Sequence, residues 1–338
     1  MQRALELAAL GRGNVSPNPM VGCVIVGDGK IIGEGWHQHY GGPHAEVNAI
    51  ASVKDQSQLN GATMYVTLEP CSHHGKTPPC ADLLITYSFN KIYIASMDTN
   101  PLVAGKGIVK IKNCGIAVET GLLEAEARKL NERFFTYIEK HRPYIILKWA
   151  ATSDGFIARE DYTSQWITNA ISRKIAHQWR TQEDAIIVGT NTALHDNPSL
   201  TARDWHGKQP LRIVLDHTLR LPLTLNLFDQ SEPTLVYTLE KEETKENLEW
   251  IKLSSKHFFI NELLADLQKR IIQSIIVEGG SQLLQSFINQ NLWDEARIFT
   301  SNNTFGEGIK APNLTGIETN QMQLDGDVLK ILINPTSR

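Results

Sequence analysis

Apolar and polar stretches alternate along the first part of the chain in a way that predicts a layered α/β domain. Strands are predicted at the apolar runs 21–26, 31–36, 62–68 and 91–95 and at the shorter run 116–118. The turn Gly27-Asp28-Gly29 joins the first two strands as a hairpin. Helical patterns are predicted at 2–10, 45–50, 78–87, 105–112 and 122–139. Because strands alternate with helices, the pattern indicates a sheet between helical layers, an α/β/α arrangement.

A second α/β pattern begins after His141-Arg142-Pro143, where polar residues and a proline end the preceding helix. Strands are predicted at 144–149, 185–188 and 275–277, and helices at 170–181 and 282–288. The charge-dense segment 239–249 is expected to form a solvated helix or loop. A single hydrophobic core rarely grows beyond about 250–300 residues. We therefore expect that the 338 residues form two domains, 1–142 and 143–338.

Composition narrows the class of protein. The net charge of −4 gives no overall attraction for a polyanion, so nucleic acid is not favoured as a partner. The four cysteines, at positions 23, 71, 80 and 114, are too few for a disulfide framework and favour a reducing compartment. Neither a membrane-spanning apolar run nor a secretory signal is recognisable. These features predict a cytoplasmic enzyme with a small-molecule substrate.

The segment from His44 to Cys80 contains the donor atoms of a zinc site. It opens with His44-Ala45-Glu46 and ends with the thiols of Cys71 and Cys80. One imidazole and two thiolates leave a fourth position of a tetrahedral zinc ion for water, which the metal makes acidic. Glu46 is then placed to move protons as a general acid and base. We expect the helix N-terminus at this point to keep Glu46 ionised.

Two other interpretations of these residues are open. A structural zinc site would take a fourth ligand from His73 or His74, and two unrelated buried cysteines would need no metal. The general zinc-deaminase pattern has two residues between its thiols, whereas eight lie between Cys71 and Cys80. A nitrogen and sulfur donor set also accepts cobalt. The carboxylate of Glu46 beside the ligand histidine favours the catalytic interpretation.

Glycines follow two predicted strands of the second half. Gly189 follows 185–188, and Gly279-Gly280 follows Glu278. Glycine lets backbone N–H groups approach phosphate oxygens, so the two strand ends suggest a dinucleotide pyrophosphate site, although each is also typical of a tight turn. Lys148 lies within the apolar strand 144–149, where a cation is costly unless it meets an anion. It is therefore a candidate ligand contact.

Several motifs of the first half resemble one known family. The runs SPNPMVGCVIV, PCSHHGKTPPC and MDTNPLVAGKG are similar to the deaminase half of the bifunctional riboflavin-biosynthesis deaminase/reductase family, where the long thiol spacing is normal. The resemblance implies a cytidine-deaminase-like fold and the substrate 2,5-diamino-6-ribosylamino-4(3H)-pyrimidinone 5′-phosphate. The substrate contacts that it implies are Asn18, His37, His73, Lys76, Asp98 and Asn100. By residue type alone, Asn18 could instead form an Asx-turn and Lys76 could be merely solvated.

Motifs of the second half resemble the reductase half of the same family. They read KWAATSDGFIA, SQWIT, HQWRTQEDAIIVGTNTALHDNPSLTAR and IIVEGGSQLLQSF. The resemblance implies a dihydrofolate-reductase-like α/β fold in which NADPH reduces the ribosyl group to a ribityl chain. The implied NADPH contacts are Ala151, Trp166, Thr168, Thr192, Asp196, Gly280, Ser281, Gln282 and Leu283. The implied contacts to the sugar phosphate are Lys148, Ser164, Arg180, Leu200, Arg203 and Glu278.

The sequence therefore predicts a bifunctional enzyme that uses zinc and NADPH, with a homo-oligomer as a possible assembly. One alternative is a nucleoside or tRNA-type zinc deaminase whose second domain binds without catalysis. Another is a metal-stabilised regulatory module whose second domain senses a nucleotide. The absence of a basic, aromatic face weighs against the first alternative, and Glu46 beside His44 weighs against the second.

Overall fold

The structure is a computed structural model that describes residues 1–73, 78–100, 104–162, 166–257 and 259–337. The chain divides into two compact units, Met1–His141 and Arg142–Arg338. Over the described ranges, no helix has both the length and the apolar character needed to cross a membrane.

The first unit is built on a mixed sheet. Its strands are β1 (Gly22–Gly27), β2 (Lys30–Trp36), β3 (Thr63–Leu68), β4 (Lys91–Ser96) and β5 (Ala117–Thr120). In the described residues they lie in the order β2-β1-β3-β4-β5. The predicted hairpin β1–β2 is antiparallel, as is β1–β3, whereas β3, β4 and β5 run parallel. The carboxyl ends of β3 and β4 therefore lie side by side at one edge.

Helices cover both faces of this sheet. They are α1 (Gln2–Ala9), α2 (Ala45–Ser52), α3 (Cys80–Leu84), α4 (Lys106–Asn113), α5 (Glu124–Leu130) and α6 (Glu132–Lys140), with a 3-10 turn at Gln56–Leu59. Apolar residues of α2, α3 and α4 pack on one face, and those of α1 and α5 pack on the other. The predicted α/β/α layers are thus present.

The single helix predicted at 122–139 is wrong, because the chain forms two helices that meet at Asn131. The Asn131 side chain is buried and pairs with the backbone of Met20, accepting from its N–H at 2.7 Å and donating to its carbonyl at 2.8 Å. An asparagine amide that bonds a distant backbone in this way competes with regular helix geometry.

A larger, mainly parallel sheet forms the second unit. Its strands are β6 (Tyr144–Ala151), β8 (Ala185–Gly189), β9 (Leu211–Leu215), β10 (Thr234–Thr238), β11 (Glu243–Lys245), β12 (Leu248–Lys252), β13 (Ser274–Gly279), β14 (Glu295–Thr300), β16 (Ile317–Leu324) and β17 (Asp327–Ile333). Within the described residues the order is β11-β12-β10-β9-β8-β13-β6-β14-β17-β16. The strands from β12 to β14 in this order are parallel, and antiparallel strands flank them. The short strands β7 (Phe156–Ala158) and β15 (Ile309–Lys310) pair separately.

Four described helices pack against this sheet, namely α7 (Ala170–Gln182), α8 (Thr190–Asp196), α9 (Phe259–Lys269) and α10 (Ser281–Asn289). Apolar clusters fill both faces, one with α9 and α10, the other with α8 and the loop containing the 3-10 turn Asn226–Phe228. From β8 the chain continues toward β9, and from β13 it continues toward β14 on the opposite side. In open α/β sheets, ligands bind at the carboxyl ends of strands where such a reversal occurs.

The expectation of a solvated helix or loop at 239–249 is wrong, because the segment contains β11 and the start of β12. Leu248 and Trp250 are buried where β12 runs parallel to β10. The ammonium group of Lys241 lies 3.8 Å from the centroid of the Trp250 ring, so charged residues cover the outer face of this strand.

Asp294 connects the beginning and the end of the second unit. Its carboxylate accepts two hydrogen bonds from Arg142, at 2.6 and 2.9 Å, one from the N–H of Ile145 at 2.9 Å, and one from the Ser337 hydroxyl. Burial raises the pKa of Asp294, but the hydrogen bonds and charge of Arg142 outweigh burial, so that the pKa lies below its usual value. This carboxylate is therefore a charged, fully paired group in the interior.

Replacing Asp294 with Asn should lower the free energy of unfolding of the second unit by roughly 2–4 kcal/mol, because a buried ion pair that loses one partner leaves an uncompensated charge. Urea unfolding followed by tryptophan fluorescence measures this unit, since six of the seven tryptophans lie beyond residue 142. As a control, Glu318→Gln breaks an exposed ion pair of 3.0 Å with Lys330 and should cost less than about 1 kcal/mol. Equal effects of the two substitutions would contradict the role of Asp294.

Candidate functional sites

Three donor atoms of the first unit converge as the sequence predicts. His44 is the N-cap of α2, and Cys80 is the first residue of α3. The Nδ1 atom of His44 lies 3.6 Å from the Cys71 sulfur and 3.2 Å from the Cys80 sulfur. Among the described residues, these three are the side chains whose donor atoms lie close enough together to bind a metal ion.

The spacing of the donors fits zinc. With Zn–N of about 2.1 Å and Zn–S of about 2.3 Å, a tetrahedral site places nitrogen and sulfur donors about 3.6 Å apart. Cys71 accepts a hydrogen bond from the Cys80 N–H at 3.3 Å. Hydrogen bonding from Cys80 lowers the pKa of the Cys71 thiol, burial opposes this, and His44 lowers the pKa further. The pocket therefore favours the thiolate form of Cys71, whereas the hydrogen bond with Cys71 and burial raise the pKa of the Cys80 thiol.

Glu46 lies in the first turn of α2 and is 3% exposed. Burial raises its pKa, and the charge of His44 opposes that shift only in part. The expectation that the helix N-terminus keeps Glu46 ionised stays a prediction, because burial opposes the charge that the helix end favours. A carboxyl group with a raised pKa holds and releases a proton more readily near neutral pH.

Asn18 and His37 form a pair beside this cluster. The His37 ring contacts the His44 ring edge-on, with centroids 5.4 Å apart. Nδ1 of His37 lies 3.0 Å from the Pro43 carbonyl, which can only accept, so this nitrogen carries the proton. Nε2 lies 3.1 Å from the Asn18 amide nitrogen and accepts from it in the neutral ring. Burial lowers the pKa of His37 and so favours that neutral ring.

Asp98 and Asn100 follow β4 at the same edge of the sheet. Asp98 is buried and accepts a hydrogen bond from the Asn100 N–H at 2.8 Å. Burial raises the pKa of Asp98 to about 6, while the exposed His73 acts in the opposite direction through its charge. His73 and Cys71 both interact electrostatically with Asp98, so these predicted residues lie near one another. Lys76 lies outside the described residues.

Glu69 is a residue that the sequence interpretation missed. Its buried carboxylate accepts from the backbone N–H groups of Gly105 at 3.0 Å and Gly107 at 3.1 Å, with longer contacts of 3.4 Å to Asp98 and Ile108. A Cβ atom at Gly107 would lie 2.1 Å from the Pro70 carbonyl oxygen, so only glycine permits this approach. Glu69 therefore fixes the segment after β4 beside Cys71. Its position directly before Pro70-Cys71 was the available signal.

In the second unit, the two glycine-containing strand ends meet. Gly279 pairs with Val188, the residue before Gly189. A Cβ at Gly279 would lie 2.9 Å from a Thr192 side-chain carbon, and Gly280 has a positive φ of 70° that favours glycine. Gly280 is the N-cap of α10 and, like all glycines, offers no side-chain cap, so the first N–H groups of α10 can serve a ligand.

A cavity of about 950 Å³ opens at these strand ends. Most of the predicted ligand contacts line it: Lys148, Trp166, Thr168, Arg180, Gly189, Thr192, Asp196, Leu200, Arg203, Glu278, Gly280, Ser281, Gln282 and Leu283. Ala151 and Gly279 are buried strand residues and are not among the residues that line the cavity. Ser164 lies outside the described residues.

Glu278 is the centre of a charged group in this cavity. Arg180 donates to its carboxylate at 2.7 and 3.0 Å, and the ammonium group of Lys148 lies 3.5 Å away. Burial raises the pKa of Glu278, but the charges of Arg180 and Lys148 outweigh it and hold the pKa at about 2. The cation in the apolar strand β6 thus meets an anion of the chain itself, and the ligand contact expected for Lys148 stays a prediction.

Comparison with known proteins gives the family. Residues 143–328 match the RibD C-terminal domain, and residues 1–96 match the cytidine and deoxycytidylate deaminase zinc-binding region. The riboflavin biosynthesis protein RibD of Aquifex aeolicus is 44% identical over 319 residues, which are 93% of this chain and 89% of that protein. The chain belongs to the RibD family of bifunctional riboflavin-biosynthesis enzymes.

Solved structures of similar proteins support this family assignment. The deaminase/reductase of Thermotoga maritima aligns with a TM-score of 0.90 at 38% identity and covers 99% of this chain and 97% of its own. RibD of Acinetobacter baumannii aligns with a TM-score of 0.90 at 36% identity and covers 98% and 97% of the two chains. The predicted fold class is confirmed, with a cytidine-deaminase-like first domain and a RibD reductase domain.

RibD membership also decides between the functional interpretations. The protein is a zinc-dependent deaminase and an NADPH-dependent reductase of riboflavin biosynthesis. The alternative with a non-catalytic, nucleic-acid-binding second domain is not supported, because residues 143–328 match the reductase domain.

Replacing Glu69 with Gln should lower deaminase kcat/KM by about 10- to 100-fold, since a buried N–H that loses its acceptor costs about 1–3 kcal/mol. An amide offers one oxygen where the carboxylate has two, so the segment after β4 should lose its fixed position. Zinc content and reductase activity of the same variant should be unchanged. Glu119→Gln, which alters an exposed carboxylate of the same unit, is the matched control and should retain full deamination. If the variant lost zinc as well as deaminase activity, the role of Glu69 would instead be to hold the metal ligands in place.

Glu278 should make the free energy of unfolding of the second unit depend on pH in the acid range. Its pKa is about 2 in the folded chain against an ordinary value of 4.5, so the carboxylate contributes about 3 kcal/mol to the stability of the folded unit. This contribution is present above about pH 4.5 and is lost as the pH falls toward about 2. The difference in unfolding free energy between wild type and Glu278→Gln should therefore shrink as the pH is lowered from about 6 to 3. A difference that stays constant in urea titrations would contradict the pairing.

Proposed function

We propose that residues 1–142 deaminate 2,5-diamino-6-ribosylamino-4(3H)-pyrimidinone 5′-phosphate and that residues 143–338 then reduce its ribosyl group to a ribityl chain with NADPH. One observation carries the proposal. The buried Glu46 lies two residues after His44, whose ring nitrogen converges with two cysteine sulfurs. In the second unit, the cavity with two glycine strand ends supports the reductase assignment.

Glu46 is the proton carrier of the deaminase reaction. His44, Cys71 and Cys80 would hold zinc, which when bound supplies a Lewis acid that lets water attack the amino-bearing ring carbon near neutral pH. Glu46 takes a proton from the attacking water and gives it to the ring nitrogen. It then moves a second proton to the departing amine, so that ammonia leaves and a carbonyl remains.

Asn18, His37, His73, Lys76, Asp98 and Asn100 would bind the pyrimidine and its ribose phosphate. Because the neutral His37 ring accepts from the Asn18 amide nitrogen, the amide oxygen of Asn18 can accept from an amino group of the substrate. Asp98, with its pKa raised to about 6, can share a proton with an exocyclic amine. The charge of Lys76 suits the phosphate.

The reductase residues divide into two groups around the cavity. Gly189, Thr192, Asp196 and the turn from Gly280 to Leu283 would hold NADPH, with the pyrophosphate at the start of α10. When bound, NADPH supplies the hydride that reduces C1′ of the opened ribose. Ala151, Trp166, Thr168 and Gly279 complete the proposed cofactor contacts, two of them from within the strands.

The substrate phosphate would lie near Arg203 and Arg180, whose planar guanidinium groups suit phosphate oxygens. Glu278 pairs with Arg180 and Lys148 and so fixes both cations. Ser164 and Leu200 are the remaining proposed substrate contacts. A homo-oligomer and a cytoplasmic location stay predictions.

A two-step assay on the full chain tests this function. Incubation with the diaminopyrimidine substrate should release ammonia, and NADPH should be oxidised only once the deaminated product is present. Glu46→Gln should abolish ammonia release while retaining one zinc per chain by metal analysis, because an amide cannot transfer the proton.

The reductase activity of the Glu46→Gln variant is an internal control, since the variant should still oxidise NADPH when supplied with the deaminated pyrimidine. Loss of zinc together with deamination would show that Glu46 is a metal ligand. If the wild-type chain released ammonia but never oxidised NADPH, the reductase assignment would fail.

A further inference from the structure

A histidine of α7 lines the reductase cavity and has no part in the reaction proposed above. His177 is buried and lies three positions before Arg180, so the two side chains share one face of the helix. Both line the cavity, as do Arg203 and Glu278. His177 therefore belongs to the part of the wall where the substrate phosphate would bind.

Asp204 determines which nitrogen of the His177 ring carries the proton. The Nε2 atom of His177 lies 3.3 Å from a carboxylate oxygen of Asp204, and an ionised carboxylate can only accept. Nε2 is therefore the protonated nitrogen, and in the neutral ring Nδ1 has the free lone pair. Because Asp204 directly follows Arg203, the same contact holds the loop of Arg203 against α7.

Arg180 holds this loop against the helix at a second point. Its Nη1 atom donates to the Thr201 carbonyl at 3.0 Å, while its other nitrogens donate to Glu278. The segment from Thr201 to Asp204 is thus attached to α7 on both sides of Arg203. An anion bound by the two arginines would therefore lie close to the His177 ring.

The Nδ1 atom of His177 is buried and has no hydrogen-bond partner within the described part of the chain. Buried polar atoms of native proteins are nearly always hydrogen-bonded, and an exception calls for a specific explanation. Since His177 lines the cavity, a ligand in the cavity can provide the missing partner. The neutral ring would accept from such a ligand, and the protonated ring would donate to it.

The charged groups around His177 decide between these two forms. Burial lowers the pKa of His177, and the positive charges of Arg180 and Arg203 lower it further. Asp204 and Glu278 act in the opposite direction but do not restore the ordinary value. A phosphate held by the two arginines would offset their charge and so raise the pKa of the ring.

We propose that His177 is a further contact for the substrate phosphate, beside Arg180 and Arg203, and that its ring takes up a proton when the phosphate binds. Nδ1 then donates to a phosphate oxygen while Nε2 still donates to Asp204. The proton comes from the solvent, and the charge of the ring rises from zero to one. This inference rests on the proposed reductase function.

Isothermal titration calorimetry of the full chain with D-ribose 5-phosphate tests the proposal without turnover. Titrations at about pH 7.5 in buffers of different ionisation enthalpy give the number of protons taken up on binding. His177→Gln should remove the uptake that is due to the ring and weaken binding about 10-fold, which corresponds to about 1.4 kcal/mol. The glutamine amide can still donate to Asp204, so the loop should remain in place.

The dependence of affinity on pH provides a second measurement. The ratio of wild-type affinity to that of His177→Gln should fall as the pH rises from about 6 to about 8.5, because only the protonated ring donates to the phosphate. Titration of the ligand itself affects both proteins equally and cancels in the ratio. Asp204→Asn, at an exposed position, should shift the uptake of protons to lower pH, since it removes a charge that raises the pKa of the ring.

Turnover separates this role from a general effect on structure. In His177→Gln, KM for the deaminated pyrimidine should rise about 10-fold, while kcat and KM for NADPH should be unchanged. His206→Gln is the matched control, because it removes an exposed histidine that follows Asp204 by two positions but does not line the cavity. It should leave the affinity for ribose 5-phosphate and the uptake of protons unchanged.

Equal affinity of wild type and His177→Gln for ribose 5-phosphate, or undiminished proton uptake by the variant, would overturn the proposal. Failure of the proposed reductase function is distinguishable from these results. In that case the wild type would oxidise no NADPH with the deaminated pyrimidine, even if ribose 5-phosphate bound with uptake of a proton.

Discussion

Parallel pairing of neighbouring strands is the constraint on which both candidate sites depend. Strands that run parallel end at the same edge of a sheet, and the loops that follow them must meet there. In the first unit, β3 and β4 end together, with Leu68 opposite Ser96, so Cys71 and Asp98 are delivered to one place. In the second unit, β8, β9 and β13 bring Gly189, Arg220 and the turn before α10 to one cavity. Each site is therefore assembled from segments far apart in sequence.

Buried carboxylates hold the loops at these edges in place. Glu69 accepts from backbone N–H groups of the segment after β4, Asp216 does the same for the loop after β9, and Glu278 holds two cations of the cavity. A buried charge is tolerated only with full pairing, so each of these groups permits few arrangements of its surroundings. Their contribution to function is geometric, since Glu69 and Asp216 fix loops at the two sites and Glu278 fixes Lys148 and Arg180, which would contact the substrate.

The sequence predicted those parts of the molecule in which neighbouring residues determine structure. Continuous apolar runs gave eight of the seventeen strands of the described residues to within one or two residues, and the donors His44, Cys71 and Cys80 were recognisable by type and spacing. The other nine strands, among them β9, β10 and β14, were not predicted. Features that depend on distant contacts were missed. The helix break at Asn131 depends on Met20, which lies 111 positions away, and burial of Glu46 depends on elements packed around α2. A local sequence pattern shows neither a contact with a distant residue nor burial by other elements of the fold.

The hydrogen bonds of Asp294 bear on how the second unit could be engineered as a separate domain. Its carboxylate holds both the first residue of that unit, Arg142, and Ser337 near the other end, so the two ends lie side by side in space. Adjacent ends are the condition under which a domain can be transplanted, inserted into another chain, or circularly permuted without distorting its interior. A reductase unit closed in this manner is a self-contained module. Joining its ends with a short linker and opening a surface loop elsewhere would leave the cavity and its sheet as they are.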